Sequence, residues 1–351
     1  MAEKRSSFKN LLTSIPKTEI HLHLEGLATP DTIWKLIQKH KVQVPGVSTK
    51  KDLIEKYNVT SLDEFINLFI DVIQNCFQEE NDLEYLFVDA KNYLKRNNIV
   101  YAEIFFAPSK FLLNGLSFDE MMKILDKGAA TLLEEENITI KFLIDVSRTI
   151  GVENAEKNLE LTLSNRPDSV IGIGLGGAER RGPAREFQKI FEKAKKNKLH
   201  VVAHAGEDIG PESIWEAITL LHVSRIGHGI SAVQDRKLMD YLRDHKIPLE
   251  ICPTSNIFTQ RYVKKIEEHP IKPFYDHGIQ VTVNTDDPSL FQVDLIEEYL
   301  KLYNCGMFNE DEIVDIVKKG IEATFLTKPE KKKLLAAVDE KTVHYAESRR
   351  K

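Results

Sequence analysis

The stretch EIHLHLEG sets His21, His23 and Glu25 at every second position. In an extended strand such residues share one face, and Leu22 and Leu24 pack behind them. Paired imidazoles on an inward face are donors for a divalent cation, and a neighbouring carboxylate can handle a proton. An isolated H-x-H is as often a core histidine beside a surface one, so further donors are needed. The run VVAHAGED ends in His204, with Glu207 just beyond it in the following loop. RIGHG sets His228 between two glycines, and VTVNTDDPS ends in the adjacent carboxylates Asp286 and Asp287. Such carboxylates repel unless a cation or hydrogen bonds compensate them. Three imidazoles and one carboxylate suit Zn²⁺ with a position left open for water.

These residues need a scaffold that brings distant segments together. Eight short β-like runs recur along the chain: EIHLH, IVYAEIFFA, TIKFLID, SVIGIGL, LHVVAHA, SRIGHG, PLEIC and IQVTVNTDD. Each precedes a stretch able to form a helix. Near-continuous apolar strands alternating with helices indicate a parallel sheet covered on both faces. Eight such units predict an α/β fold, a (β/α)₈ TIM barrel occupying residues 1–351 as one domain. The candidate residues then all fall at the carboxyl ends of strands, where barrel side chains converge. The seven remaining histidines, His269 among them, lie outside this pattern and receive no role.

The first connection, about residues 27–98, is far longer than one crossover helix needs and is read as a helical insertion covering the barrel mouth. Thr29–Pro30, Ser61 with Glu64, Ser117 with Glu120, and Asn309 with Glu312 have the spacing of helix starts. Phe65, Leu68, Phe69, Val72, Ile73 and Cys76 recur at helical spacing and predict one buried stripe.

Composition narrows the function classes. The formal charge of −6 leaves no basic footprint for nucleic acid. No run approaches the ~18 apolar residues of a membrane span, and the amino terminus has no apolar secretory core. Three scattered cysteines suggest reduced thiols and a cytoplasmic setting. A P-C-x-x-C partner for His23–Glu25, an H-E-x-x-H helix and a G-x-S-x-G elbow are all absent. GIGLGG by itself gives only weak support for a dinucleotide site. Oligomeric state is not legible.

HLHLEG, HAGED, RIGHG, CPTSN and NTDDP, in this order, resemble the adenosine deaminase family of the amidohydrolase superfamily, over about residues 15–335. The resemblance implies a zinc-dependent hydrolytic deaminase that converts a 6-aminopurine nucleoside to its 6-oxo product and ammonia. It implies one zinc per chain, held by His21, His23, His204 and Asp286. Glu207 would protonate purine N1, and His228 would orient and polarise the attacking water. Asp287 would hydrogen-bond N7, the Gly177 N–H would meet N3, and Glu25 would lie near the ribose 5′-hydroxyl.

Three departures bear on the substrate. Glu25 replaces the family's usual aspartate. GLGGAE replaces DLAGDE, so Gly174 and Ala178 stand where that pattern has acids. Phe105 stands where adenosine deaminases commonly have arginine. Adenosine is the first expectation, and aminodeoxyfutalosine and free adenine are the alternatives.

Overall fold

The computed structural model describes residues 2–259 and 261–349. Eight strands follow one another around a parallel sheet: β1 (Lys17–His23), β2 (Ile99–Phe106), β3 (Thr139–Asp145), β4 (Val170–Leu175), β5 (His200–Ala205), β6 (Arg225–His228), β7 (Leu249–Ile251) and β8 (Val281–Val283). Each coincides with one of the eight apolar runs. The ring closes beyond β8, where Leu22 bridges to Asp286. There the His23 N–H donates to the Asp286 carbonyl at 2.9 Å, and the Asp286 N–H donates to the His21 carbonyl at 3.2 Å. The seam of the barrel therefore runs through three candidate site residues.

All seven β1 residues are buried, as a strand covered on both faces requires. Helices alternate with the strands and wrap the barrel, giving the α/β architecture expected from the pattern. The caps also form. Thr29, Ser61 and Ser117 accept from the N–H groups of Thr32, Glu64 and Glu120, and Asn309 forms a capping box with Glu312. Among the described residues no helix is long and apolar enough to cross a membrane. Cys76, Cys252 and Cys305 are free thiols.

Between β1 and β2 lie helices over Pro30–His40, Lys50–Glu55, Leu62–Asn67 and Glu84–Arg96. The buried stripe expected over 65–76 is split. The helix widens into a π-helical turn over Leu68–Ile73 and tightens over Gln74–Cys76. Leu68, Ile73 and Cys76 are buried, whereas Phe65, Phe69 and Val72 are half-buried. Phe65 and Phe69 line a cleft at the barrel mouth, so part of the apolar face serves that opening and not the core.

Candidate active site

His21 is fixed from below. Its Nδ1 lies 2.8 Å from Glu250 Oε2 on β7, which leaves Nε2 facing the barrel centre. Glu250 accepts from Arg225 Nε at 2.5 Å, and Arg225 Nη2 lies 2.6 Å from Glu103 on β2. All four side chains are buried. A carboxylate behind a ligating imidazole sets its tautomer and raises its basicity. Gly227 makes room for the ring, since a Cβ there would stand 2.7 Å from His21 Cε1.

His23 stacks on Phe105, with ring centroids 5.1 Å apart. A Cβ at Gly174 would come within 2.6 Å of that same phenylalanine ring. Two of the departures are thus one steric exchange, in which a missing side chain on β4 admits an aromatic floor under His23. His204 ends β5 beside His228 on β6, through the paired registers His204–Gly227 and Ala205–His228. His228 (φ 59°) and Asp286 (φ 66°) are both left-handed, a conformation sparsely populated by residues other than glycine and often found at functional sites.

These donors converge. His23 Nε2 lies 3.3 Å from His204 Nε2 and 3.2 Å from Asp286 Oδ1, and His21 Nε2 lies 3.4 Å from that same oxygen. A tetrahedral site with ~2.05 Å bonds has donor–donor edges of roughly 3.3 Å. His21, His204, His228 and Asp286 bring donors within 4.8 Å of one another, as do His23, Asp286 and Asp287. His21 Nε2 is buried without a hydrogen-bond partner among the described residues. Burial opposes charge on His21, yet the nearby carboxylates of Asp286 and Glu250 outweigh it and push the imidazole up to about 9. The donor set fits a divalent cation.

Glu207 is 6 % exposed. Burial, reinforced by the charges of Asp286 and Glu179, pushes its carboxyl well above the usual range and so favours the protonated form. Its loop is gripped by Glu179, to which sequence reasoning gave no role although it ends the GLGGAE motif. The Glu179 carboxylate accepts from the N–H groups of Gly206, Glu207, Asp208 and Ile209 at 2.6–3.2 Å, and from the Ser213 hydroxyl. His228 Nε2 faces Glu207 Oε2 at 3.5 Å and Asp286 Oδ2 at 3.9 Å. Asp286 Oδ2 also accepts from the Ser255 hydroxyl at 2.7 Å.

Asp287 is buried, and burial with the charges of Asp286 and Glu25 pushes its carboxyl well above the usual range. Its Oδ1 packs against Gly26, where a Cβ would stand 2.1 Å from that oxygen and 2.7 Å from the Asp287 Cα. Rotating a side chain cannot relieve the backbone contact. Gly26→Ala should therefore cost about 1–3 kcal/mol, seen as a lower melting temperature and weaker purine binding.

Glu25 turns elsewhere. Its Oε1 accepts from Gln74 Nε2 at 3.1 Å and from the Ala107 N–H at 3.0 Å, tying the insertion to the end of β2. It does not line the cleft, whereas Gln74 and Gly177 do. The cleft encloses about 790 Å³ including its open mouth. Its lining includes His23, His204, Glu207, His228, Asp286 and Asp287. It also includes the apolar Phe65, Phe69, Ile150 and Phe291 and the polar Asp145, Ser147, Thr149 and Lys110. Phe65 of the insertion stacks on Phe291 from after β8 at 5.0 Å.

A sequence model of the family described as adenosine deaminase matches residues 16–341. An aminodeoxyfutalosine deaminase of Streptomyces coelicolor is 33% identical over 96% of this chain and 87% of its own length. An adenine deaminase of Psychrobacter cryohalolentis is 31% identical over 94% of this chain and 98% of its own. The crystal structure of an adenine deaminase from Arthrobacter aurescens superposes with a TM-score of 0.88 at 28% identity, covering 93% of this chain and 98% of that one.

Proposed function

The chain belongs to the adenosine deaminase family, hydrolases acting on the C–N bonds of amidines, and from that premise we propose a zinc-dependent deaminase of 6-aminopurine nucleosides. Adenosine is the simplest such substrate, and 5′-extended derivatives such as aminodeoxyfutalosine belong to the same class, in preference to free adenine. One observation carries the preference. Besides the proton-handling groups, the cleft is lined by Phe65, Phe69 and Phe291 and by the polar residues Asp145, Ser147 and Thr149. An N9 substituent would have these additional groups to contact, which favours a nucleoside over a bare purine.

His21, His23, His204 and Asp286 would hold the ion. When bound, zinc supplies the Lewis-acid charge that lowers the pKa of water from ~15.7 to about 7. The chain's own groups do the rest. His228 Nε2, facing Glu207 and Asp286, orients the water that attacks the purine carbon bearing the amino group. As the C–O bond forms, Glu207 delivers its proton to N1, so no negative charge accumulates on the ring. Asp287, whose burial and neighbouring carboxylates favour its protonated form, donates to N7, and the Gly177 N–H donates to N3. The C–N bond then breaks as the hydroxyl of the adduct becomes the 6-oxo group; its proton passes to the amino group, which leaves as ammonia, and a proton from the next water returns to Glu207.

The test is a side-by-side kcat/KM comparison on adenosine, 6-amino-6-deoxyfutalosine and adenine. Higher values for either nucleoside than for adenine support the proposal, and adenine as the best substrate overturns it. Phe65→Ala should raise KM for the preferred nucleoside about tenfold, the effect of losing ~1.4 kcal/mol of apolar contact, with little change for adenine.

A further inference from the structure

His228 has a second nitrogen, and its surroundings point away from the chemistry. Nδ1 lies 3.0 Å from Asn256 Nδ2, and Asn256 Oδ1 lies 3.2 Å from His269 Nε2. The Ile271 N–H donates to His269 Nδ1 at 3.1 Å. His228, Asn256 and His269 are each at most 2 % exposed, so water does not compete along this line.

The polarity of the chain follows from its far end. A backbone N–H only donates, so His269 Nδ1 must be bare, and the ring proton of a neutral His269 sits on Nε2. That N–H donates to Asn256 Oδ1, which turns the amide nitrogen of Asn256 toward His228. An amide nitrogen also only donates, so His228 Nδ1 accepts and its own proton lies on Nε2. Flipping the amide, or moving either ring proton, sets two donors or two acceptors face to face in a buried site, which is costly.

We infer that His269 and Asn256 are positioning residues that hold His228 as its Nε2–H tautomer, so that it meets the attacking water as a hydrogen-bond donor. The direction set at the Ile271 N–H is carried across two side chains to the nitrogen facing Glu207 and Asp286. The catalytic consequence rests on the deaminase reading, whereas the tautomer itself does not.

The experiment uses the full-length, metal-loaded protein with ¹⁵N-labelled histidine. Long-range ¹H–¹⁵N spectra report which ring nitrogen of His228 carries the proton, and a His228→Asn variant assigns its signal. kcat and KM are measured on whichever of the three purines is turned over fastest. Wild type should show a protonated Nε2 and a bare Nδ1. Asn256→Asp keeps the size but replaces the donor with an acceptor. It should move the proton to Nδ1 and lower kcat ~10–100-fold with KM within about twofold, the range typical of outer partners. His269→Leu should mix the tautomers and lower kcat in the same way, and His269→Gln, which restores an N–H near the Nε2 position, should recover most of the loss. A wild-type Nδ1–H signal overturns the inference. So does a kcat within about twofold of wild type in both Asn256→Asp and His269→Leu, or an effect confined to KM. Because the wild-type spectrum needs no turnover, inactivity on all three purines would defeat the deaminase reading and leave the tautomer assignment standing.

Discussion

Glu207→Gln lowers kcat on the preferred nucleoside by ~10²–10⁴-fold, the contribution typical of a positioned general acid. The substitution keeps size and hydrogen-bonding reach but removes the transferable proton. Metal content and melting temperature should stay close to wild type, because Glu179 grips the loop through backbone N–H groups that glutamine leaves in place. The pH profile carries the sign. Burial raises the Glu207 carboxyl, and the charges of Asp286 and Glu179 raise it further. The active, protonated form is therefore favoured to higher pH than in a free carboxylic acid, and activity falls as pH rises through that elevated pKa. Glu207→Gln has no proton to lose there, so its residual rate should lack that alkaline limb. A variant retaining more than about a tenth of wild-type kcat would show that N1 is protonated from elsewhere.

His204→Ala should yield a protein that no longer retains zinc and has no measurable deaminase activity, and exhaustive chelation of wild type should do the same reversibly. Burial and the neighbouring imidazoles hold His204 neutral, the form a ligand must have. Removing it leaves His23 Nε2 and Asp286 Oδ1 facing a gap where a donor stood 3.3 Å from His23. Stability should follow occupancy. A ligand bound at 1,000 times its Kd stabilises the native state by ~4 kcal/mol. Chelation should thus lower the melting temperature of wild type by several degrees and leave His204→Ala nearly unchanged. Metal analysis and scanning calorimetry read both. Full activity after chelation would remove the metal from the mechanism.

Much of the architecture was legible because its signals are local. Apolar runs covered on both faces announce parallel strands, and each of the eight became one. Helix caps depend on residues three positions apart, and all four expected starts formed. The stripe over 65–76 misled because periodicity reports an apolar face but not what it faces. Phe65 and Phe69 turned out to line a cleft. Glu25 misled for a related reason. Alternation with His21 and His23 describes an extended strand, but β1 ends at His23 and a tight turn follows, carrying Glu25 toward Gln74 and Ala107.

By itself, the amino-acid sequence determined the eight-unit barrel and the residue types waiting at its strand ends, since strand alternation and apolar runs are properties of neighbouring residues. Only the tertiary structure decided how those groups are held and charged. Glu250 reaches His21 across 229 positions, Glu179 grips a loop 27–30 residues away, and Asn256 joins His228 to a histidine that no pattern singled out. Such partners are ordinary polar residues whose pairing leaves no local signature. Their protonation and orientation come from burial and from fields that exist only once the strands have closed around them.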